Sequence, residues 1–109
     1  MNPYFEAEKL GVELLCLDSE LSYEFDLLCF FKTKAGVVFS AQDSGCSCPN
    51  PFEDYEGNSW NQIEPKLERV GSIEQAEQMI DSWNKFLDNN RISVADIIEI
   101  KEQLKAWFL

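Results

Sequence analysis

The architecture follows from one hydrophobic hairpin, which reads Tyr23-Glu24-Phe25-Asp26-Leu27-Leu28-Cys29-Phe30-Phe31-Lys32-Thr33-Lys34-Ala35-Gly36-Val37-Val38-Phe39-Ser40-Ala41. Its first part alternates apolar with polar residues, as in a β-strand with one covered face, and the run 27–31 is apolar on both faces. Residues 32–36 contain Gly36 and are typical of a hairpin loop. The sequence therefore predicts two antiparallel strands, over about 23–32 and 36–42.

One more strand is predicted before the hairpin and a short one after it. The apolar run at residues 12–17 follows Gly11 and ends in residues of turn composition, so we expect a strand over about 11–18. Residues 66–70 follow Pro65, which fits neither a regular helix nor a central strand, and we interpret them as an edge strand. The strands are expected to form an antiparallel meander.

Two amphipathic helices are predicted in the last third of the chain. Ser72 and Gln75 have the spacing of a capping box, and apolar residues then recur every three or four positions. Ser93 has the residue type and position of a second helix cap, and another apolar stripe follows it. We expect helices over about 73–88 and 94–108, packed as an antiparallel pair on one face of the sheet.

Length and composition favour one domain. The chain has 109 residues, of which 45% are hydrophobic, and this suffices for one core but not for two. The predicted fold class is α+β: an antiparallel three- to four-stranded sheet followed by two C-terminal helices, in a single domain over residues 1–109. No apolar run reaches the roughly 20 residues of a membrane span, and the first residues lack the pattern of a secretory signal. We therefore expect a soluble protein of the cytoplasm.

The chain is strongly acidic, with 20 Asp and Glu against 9 Lys and Arg and a formal net charge of −11. Phosphate contacts require Lys and Arg, so direct binding to nucleic acid or to an anionic membrane is not expected. Most of the charge lies in residues 1–64, which hold twelve acids and three bases. Partners should present a basic protein surface, although such acidity also serves solubility alone.

The chain contains no histidine. This absence excludes Ser-His and Cys-His dyads and acid–base catalysis by imidazole. A thiol nucleophile at Cys46 or Cys48 would lack a neighbouring cation to lower its pKa, because the surrounding charges are acidic. We expect neither enzymatic activity nor a cofactor.

The most unusual segment follows the hairpin and reads Asp43-Ser44-Gly45-Cys46-Ser47-Cys48-Pro49-Asn50-Pro51-Phe52-Glu53-Asp54-Tyr55. Its Gly, Pro and Asp residues favour turns, so we predict an ordered loop over residues 43–58, the kind of segment in which recognition often resides. The residues predicted to shape the loop are Gly45, Cys46, Cys48, Pro49 and Pro51. Those predicted to contact a partner are Asp43, Phe52, Glu53, Asp54, Tyr55 and Glu56, helped by Glu24 and Asp26 if they face solvent.

The four cysteines allow a second interpretation of the loop. Thiolates of Cys16, Cys29, Cys46 and Cys48 could form a zinc site if the strands present the first two to the loop. The single residue between Cys46 and Cys48 is wrong for the usual zinc knuckle. Buried thiols in a reducing compartment are the simpler explanation.

These residues also carry a resemblance. The segment 43–55, together with Tyr23, Phe25, Asp26 and Gly36, resembles an uncharacterised family of small proteins encoded by bacteriophages and prophages. The resemblance covers about the first half of the chain and, more loosely, residues 67–76. It implies a phage origin, a soluble single domain and a recurring loop.

The sequence and the resemblance together favour a protein that acts by binding. We expect it to obstruct a nucleic-acid-handling or defence complex of the host, such as a CRISPR effector, by occupying a basic surface. One alternative is a metal-binding protein that uses the cysteine loop. Another is a virion or assembly component that self-associates through the apolar tail at residues 107–109. The chain is expected to be a monomer or a homodimer.

Overall fold

A four-stranded antiparallel sheet forms the centre of the molecule in the computed structural model, which describes residues 1–21, 24–46, 50–87 and 91–109. The strands lie side by side in chain order. They are β1 (Glu13–Leu21), β2 (Glu24–Lys32), β3 (Val38–Cys46) and β4 (Glu68–Val70). The predicted α+β class is confirmed, since the sheet is followed by two long helices.

Two short and two long α-helices accompany the sheet in the part of the chain that the structure describes. They are α1 (Ala7–Leu10), α2 (Trp60–Ile63), α3 (Ile73–Leu87) and α4 (Val94–Trp107). The two predicted caps are present, because Ser72 Oγ accepts the Gln75 amide at 3.1 Å and Ser93 Oγ accepts the Asp96 amide at 3.2 Å. These bonds satisfy amides that otherwise lack a partner at a helix start. Residue 88, the predicted end of the first long helix, lies outside the described ranges.

The long helices run in opposite directions over one face of the sheet. Lys101 Nζ in α4 meets Asp81 Oδ1 in α3 at 2.8 Å, and the Ile92 amide donates to Asn84 Oδ1 at 2.7 Å. Leucine, isoleucine and aromatic side chains fill the space between helices and sheet. The buried members of this first core are Leu17, Leu28, Phe30, Val38, Val70, Ala76, Ile80, Trp83, Leu87, Ile97, Ile100 and Leu104.

The opposite face of the sheet carries a second core. The start of the chain and the segment after β3 cover this face, which explains why β2 is apolar on both sides. The buried members are Ala7, Val12, Leu27, Cys29, Phe31, Ala41 and Phe52. The chain therefore folds as three layers, with the sheet in the middle.

The strand boundaries differ from those predicted at one end of the sheet. β3 was expected to end near residue 42, but it continues to Cys46 because its backbone stays in register with β2 as far as the Glu24–Cys46 pair. β1 likewise extends to Leu21. The predicted loop 43–58 is wrong over residues 43–46, where pairing with β2 overrides the turn preference of Asp, Ser and Gly.

The C-terminal aromatic residues pack onto their own chain. Trp107 and Phe108 are partly buried against the first core, whereas Leu109 is exposed. No helix within residues 1–21, 24–46, 50–87 and 91–109 is long and apolar enough to cross a lipid bilayer.

Candidate functional site

The Asp43 side chain binds two backbone amides, one in β3 and one in the segment that follows it. Its Oδ1 accepts the Ser44 amide at 3.0 Å, and its Oδ2 accepts the Phe52 amide at 2.6 Å. A carboxylate that accepts two backbone amides stabilises the turn around it. Asp43 therefore has a structural role in addition to any contact with a partner.

The other three carboxylates that were predicted to contact a partner, those of Glu53, Asp54 and Glu56, face solvent. Glu53 Oε1 accepts the Asn50 amide at 3.1 Å, although most of the side chain is exposed. The Asp54 and Glu56 side chains are exposed, and the Glu56 carbonyl oxygen accepts Lys66 Nζ at 2.9 Å. Asp54 and Glu56 are thus the carboxylates of this segment that its own folding uses least.

Phe52 was predicted to face a partner, and this prediction is wrong. Its side chain is fully buried in the second core, between Tyr4 at a ring-centroid distance of 5.8 Å and Tyr55 at 5.3 Å. Its backbone has a φ of 61°, a left-handed conformation that is uncommon outside glycine. Tyr55 is half-buried, and burial followed by the charges of Asp43 and Asp54 raises the pKa of its hydroxyl.

Sequence reasoning missed the start of the chain as a support for this segment. Asn2 is buried, its Nδ2 donates to the Pro51 carbonyl at 2.8 Å, and its Oδ1 accepts the Tyr4 amide at 2.9 Å. The Gly57 amide donates to the Met1 carbonyl at 3.1 Å. The Asn-Pro dipeptide indicates a turn, but no local signal indicates which segment that turn will contact.

The residues predicted to shape the loop have different outcomes. Gly45 lies in β3 opposite Phe25, where it continues the strand instead of forming a turn. Pro51 is half-buried, and its carbonyl accepts the Asn2 side chain. Cys48, Pro49 and the side chain of Cys46 lie outside what the structure describes, so their predicted roles remain predictions.

Carboxylates concentrate at the end of the sheet where β1 is followed by β2. In the strand register, Asp26 lies between Ser19 and Ser44, and Asp18 and Asp43 flank Leu27 in the neighbouring row. Glu24 and Asp26 lie on the helix face of this end and Asp43 lies on the opposite face, and we name these three carboxylates, together with Glu53 and Asp54 of the segment after β3, the acidic end. Burial, followed by the nearby charge of Glu24, raises the pKa of Asp26 above its ordinary value.

A cleft opens between the acidic end and helix α3. Its volume is about 280 Å³, and its walls are Asp26, Gln42, Asp43, Ser44, Trp83 and Phe86. Phe86 is 84% exposed, which is unusual for a large aromatic side chain on an ordered helix. The Asp43 carboxylate bonds the Phe52 amide on the other face of the sheet, so the cleft joins the Asp26 carboxylate to an accessible aromatic ring, a combination that suits a cationic side chain.

A family model matches residues 1–103, which is nearly the whole chain. The chain belongs to the family described as Domain of unknown function (DUF7574). The match includes all four strands, α3 and most of α4, so this family likeness extends over the whole fold. No curated protein and no solved structure matches the chain.

The cysteines described in this DUF7574 protein lie in the sheet. Cys16 and Cys29 are directly opposite each other in β1 and β2, and Cys29 is fully buried. Burial, helped by a hydrogen bond with Cys16, raises the pKa of the Cys29 thiol and disfavours the thiolate that metals bind. No cluster of three metal-ligating side chains occurs among the described residues, a set that leaves out Cys48 and the Cys46 side chain.

Proposed function

We propose that this DUF7574 protein acts by binding a basic surface of a partner protein through its acidic end. The observation that carries the proposal is the placement of Glu24, Asp26 and Asp43 at one end of the three long strands. None of these three carboxylates takes part in an ion pair within the described residues. In the described part of the chain the ion pairs are Lys9–Glu6, Lys101–Asp81 and Lys105–Glu102. Carboxylates that have no cation of their own can form charge-assisted hydrogen bonds with an external one.

The uneven distribution of charge along the hairpin supports the acidic end as the binding surface. Residues 10–31 and 35–65 contain no Lys or Arg, and Lys32 and Lys34 lie at the opposite end of the hairpin. Lys66 adds one cation beside Glu56, whose carbonyl oxygen it contacts at 2.9 Å. A partner with a basic surface would be attracted to one end of the sheet, because complementary potentials steer association. In this proposal, the exposed side chains of Glu53, Asp54 and Glu56 extend the contact, Tyr55 lies at its border, and Phe52 supports the segment from below.

The biological setting is part of the proposal. We propose that the protein is encoded by a phage and inhibits a nucleic-acid-handling or defence complex in the host cytoplasm, without catalysis. The sequence resemblance to small phage proteins and the net charge of −11 support this setting. An acidic domain can occupy an Arg- and Lys-lined channel that normally receives phosphates.

A binding measurement with matched variants tests the contact. The probe is a blocked arginine-rich peptide labelled with a fluorophore, and the readout is its anisotropy at low and physiological salt. We expect the double variant Glu24→Gln/Asp26→Asn to bind at least about fivefold more weakly, since each surface charge pair is worth a few tenths to about 1 kcal/mol. The control Glu13→Gln/Glu99→Gln removes the same charge from exposed residues elsewhere. Equal weakening by the two pairs would show that net charge, and not the acidic end, drives binding.

A cellular assay tests the setting separately. Bacteria with an active CRISPR system lose a targeted plasmid, and we expect the wild-type protein to preserve it. The Glu24→Gln/Asp26→Asn variant should protect less than the Glu13→Gln/Glu99→Gln control at equal expression. Absence of protection by the wild type against each defence system examined would overturn the setting and leave the peptide result unaffected.

A further inference from the structure

The outer side of β3 is only partly covered by β4. The two strands pair at Val38, Phe39 and Ser40, and β4 begins at Glu68 opposite Ser40. From Ala41 onward, β3 has no strand neighbour on this side within residues 1–21, 24–46, 50–87 and 91–109. An open strand edge presents backbone amides and carbonyls that another chain can pair with.

The register identifies the backbone groups that point outward. The Thr33 amide donates to the Val37 carbonyl at 2.9 Å, and hydrogen-bonded pairs then alternate along the β2–β3 ladder. By this alternation, Asp43 directs its amide and carbonyl towards β2, whereas Gln42 and Ser44 direct theirs outward. The hydrogen bond of the Ser44 amide is consistent with this alternation, because the amide donates to the Asp43 side chain at 3.0 Å and not to β2. Gln42 thus offers an outward amide and carbonyl.

Clefts flank this edge on both faces of the sheet. The cleft on the helix side contains Asp26 and Phe86, and a second cleft of about 390 Å³ on the other side contains Tyr55, Lys66 and Glu68, so the basic side chain of the ligand is assigned to the helix-side cleft. Gln42 borders both clefts. Side chains of a strand alternate between the two faces of its sheet. The side chains of an added strand would therefore point in turn into the helix-side cleft and into the second cleft.

We propose that the β3 edge at residues 42–44 takes up an extended basic segment of the partner protein as an additional strand. Main-chain hydrogen bonds to Gln42 supply the attachment, and an Arg or Lys side chain enters the helix-side cleft between Asp26 and the ring of Phe86. This inference rests on the proposed function and adds the geometry of recognition to it. Strand addition explains why two clefts and an unpaired backbone occur together.

The charge of the open β3 edge favours a basic segment over a second copy of this chain as the strand that pairs with it. Edge-to-edge pairing of two copies would bring together two sets of Asp43 and Glu68, the carboxylates of the strands that border the open edge, and like charges close to each other across strands are destabilising. β4 also limits the open edge to a few residues, a length that suits a short peptide segment.

Amide hydrogen exchange of the folded protein, measured by NMR, tests the inference. The probe is a blocked hexapeptide that alternates arginine with valine at saturating concentration. We expect the Gln42 amide to exchange at least about tenfold more slowly with the peptide, the effect of one hydrogen bond of about 1.4 kcal/mol. The Asp43 amide serves as the internal control, because it faces β2 and should keep its rate.

A second peptide separates strand addition from charge attraction. It has the same sequence, with N-methyl groups on alternate amides so that the edge facing β3 cannot donate. We expect it to bind at least about tenfold more weakly than the first peptide and to leave Gln42 unprotected. Equal binding of both peptides without protection of Gln42 would overturn strand addition while the proposed function stands. Failure of both peptides to bind at low salt would overturn the two together.

A variant and a size measurement complete the test. Gln42→Pro removes the outward amide but no bond to β2, and proline is tolerated at such edge positions. We expect this variant to bind the first peptide about tenfold more weakly and to retain the exchange protection of β2, which confirms its fold. Protection of Gln42 without peptide, together with a dimer in sedimentation, would overturn the inference in favour of a second copy.

Discussion

Two polar side chains hold the segment after β3 in place. Asp43 joins the Ser44 and Phe52 amides, and Asn2 joins the Pro51 carbonyl to the Tyr4 amide. Buried or half-buried polar groups with satisfied partners restrict a chain to one arrangement. The segment is therefore shaped by its own hydrogen bonds, and a partner would meet a preformed surface.

Removal of the Asp43 carboxylate should destabilise the protein. We expect Asp43→Ala to lower the free energy of unfolding by about 1.5–3 kcal/mol, because hydrogen bonds to a charged group are stronger than neutral ones. Urea denaturation monitored by tryptophan fluorescence measures the loss. The control Asp54→Ala changes an exposed carboxylate in the same segment and should stay within about 0.5 kcal/mol of wild type. Equal losses in the two variants would contradict the structural role of Asp43.

Asp26 should favour binding at the expense of stability. Burial and Glu24 raise its pKa above the ordinary 3.8, so the folded state holds this proton more tightly than the unfolded state. Its contribution to stability is therefore present at low pH and is lost as the pH rises above 3.8 through the raised pKa. We expect Asp26→Asn to be more stable than wild type at neutral pH and to bind the basic peptide less tightly. Unfolding curves at pH 4 and pH 7 measure the difference. A stability gain that is as large at low pH as at neutral pH would contradict this account.

At the scale of elements, β2 is the central strand of the hydrophobic structure. It pairs with β1 and β3 along its whole length, and its side chains enter both cores. Strand β3, by contrast, pairs on its outer side only at Val38–Ser40 in the described part of the chain. The same sheet thus combines a rigid centre with an accessible edge.

The thiols of Cys16 and Cys29 should differ in reactivity, because Cys29 is buried and Cys16 is half-buried. We expect iodoacetamide to label Cys29 only as fast as unfolding exposes it, because the thiol is buried and its pKa is raised. Cys16 is half-buried and should react in the native state. Peptide mass spectrometry after timed alkylation resolves the two sites. Native labelling of Cys29 at the rate of Cys16 would contradict the described packing.

At the scale of the whole molecule, a net charge of −11 on 109 residues opposes compaction. Salt should therefore stabilise the folded protein while it weakens binding to the basic peptide. Between low ionic strength and about 0.15 M, we expect a stability gain on the order of 1 kcal/mol, since surface charges are screened over about 8 Å at the higher value. Urea unfolding in a NaCl series measures the gain. The Glu24→Gln/Asp26→Asn variant should gain less, and an equal gain would show that the acidic end contributes no particular repulsion.

Local patterns of this chain were sufficient for the four strands, the two long helices and their order, but they did not indicate the short helices α1 and α2. The alternation around Phe25, the Gly36 hairpin and the Ser93 cap act within a few neighbouring residues, so the strands, turn and helix start could be predicted from the sequence. The end of β3 was misplaced because pairing with β2, a contact between distant residues, outweighs the turn preference of Asp43 and Gly45.

The candidate site depended on contacts that no local pattern contains. The sequence indicated an acidic surface, since charge is a property of composition. Burial of Phe52, inward bonding of Asp43 and support from Asn2 arise only when the chain start and the segment after β3 cover the second face of the sheet. The open edge at Gln42 likewise results from how far β4 extends along β3. Such features depend on residues far apart in the chain, and folding alone brings those residues into contact.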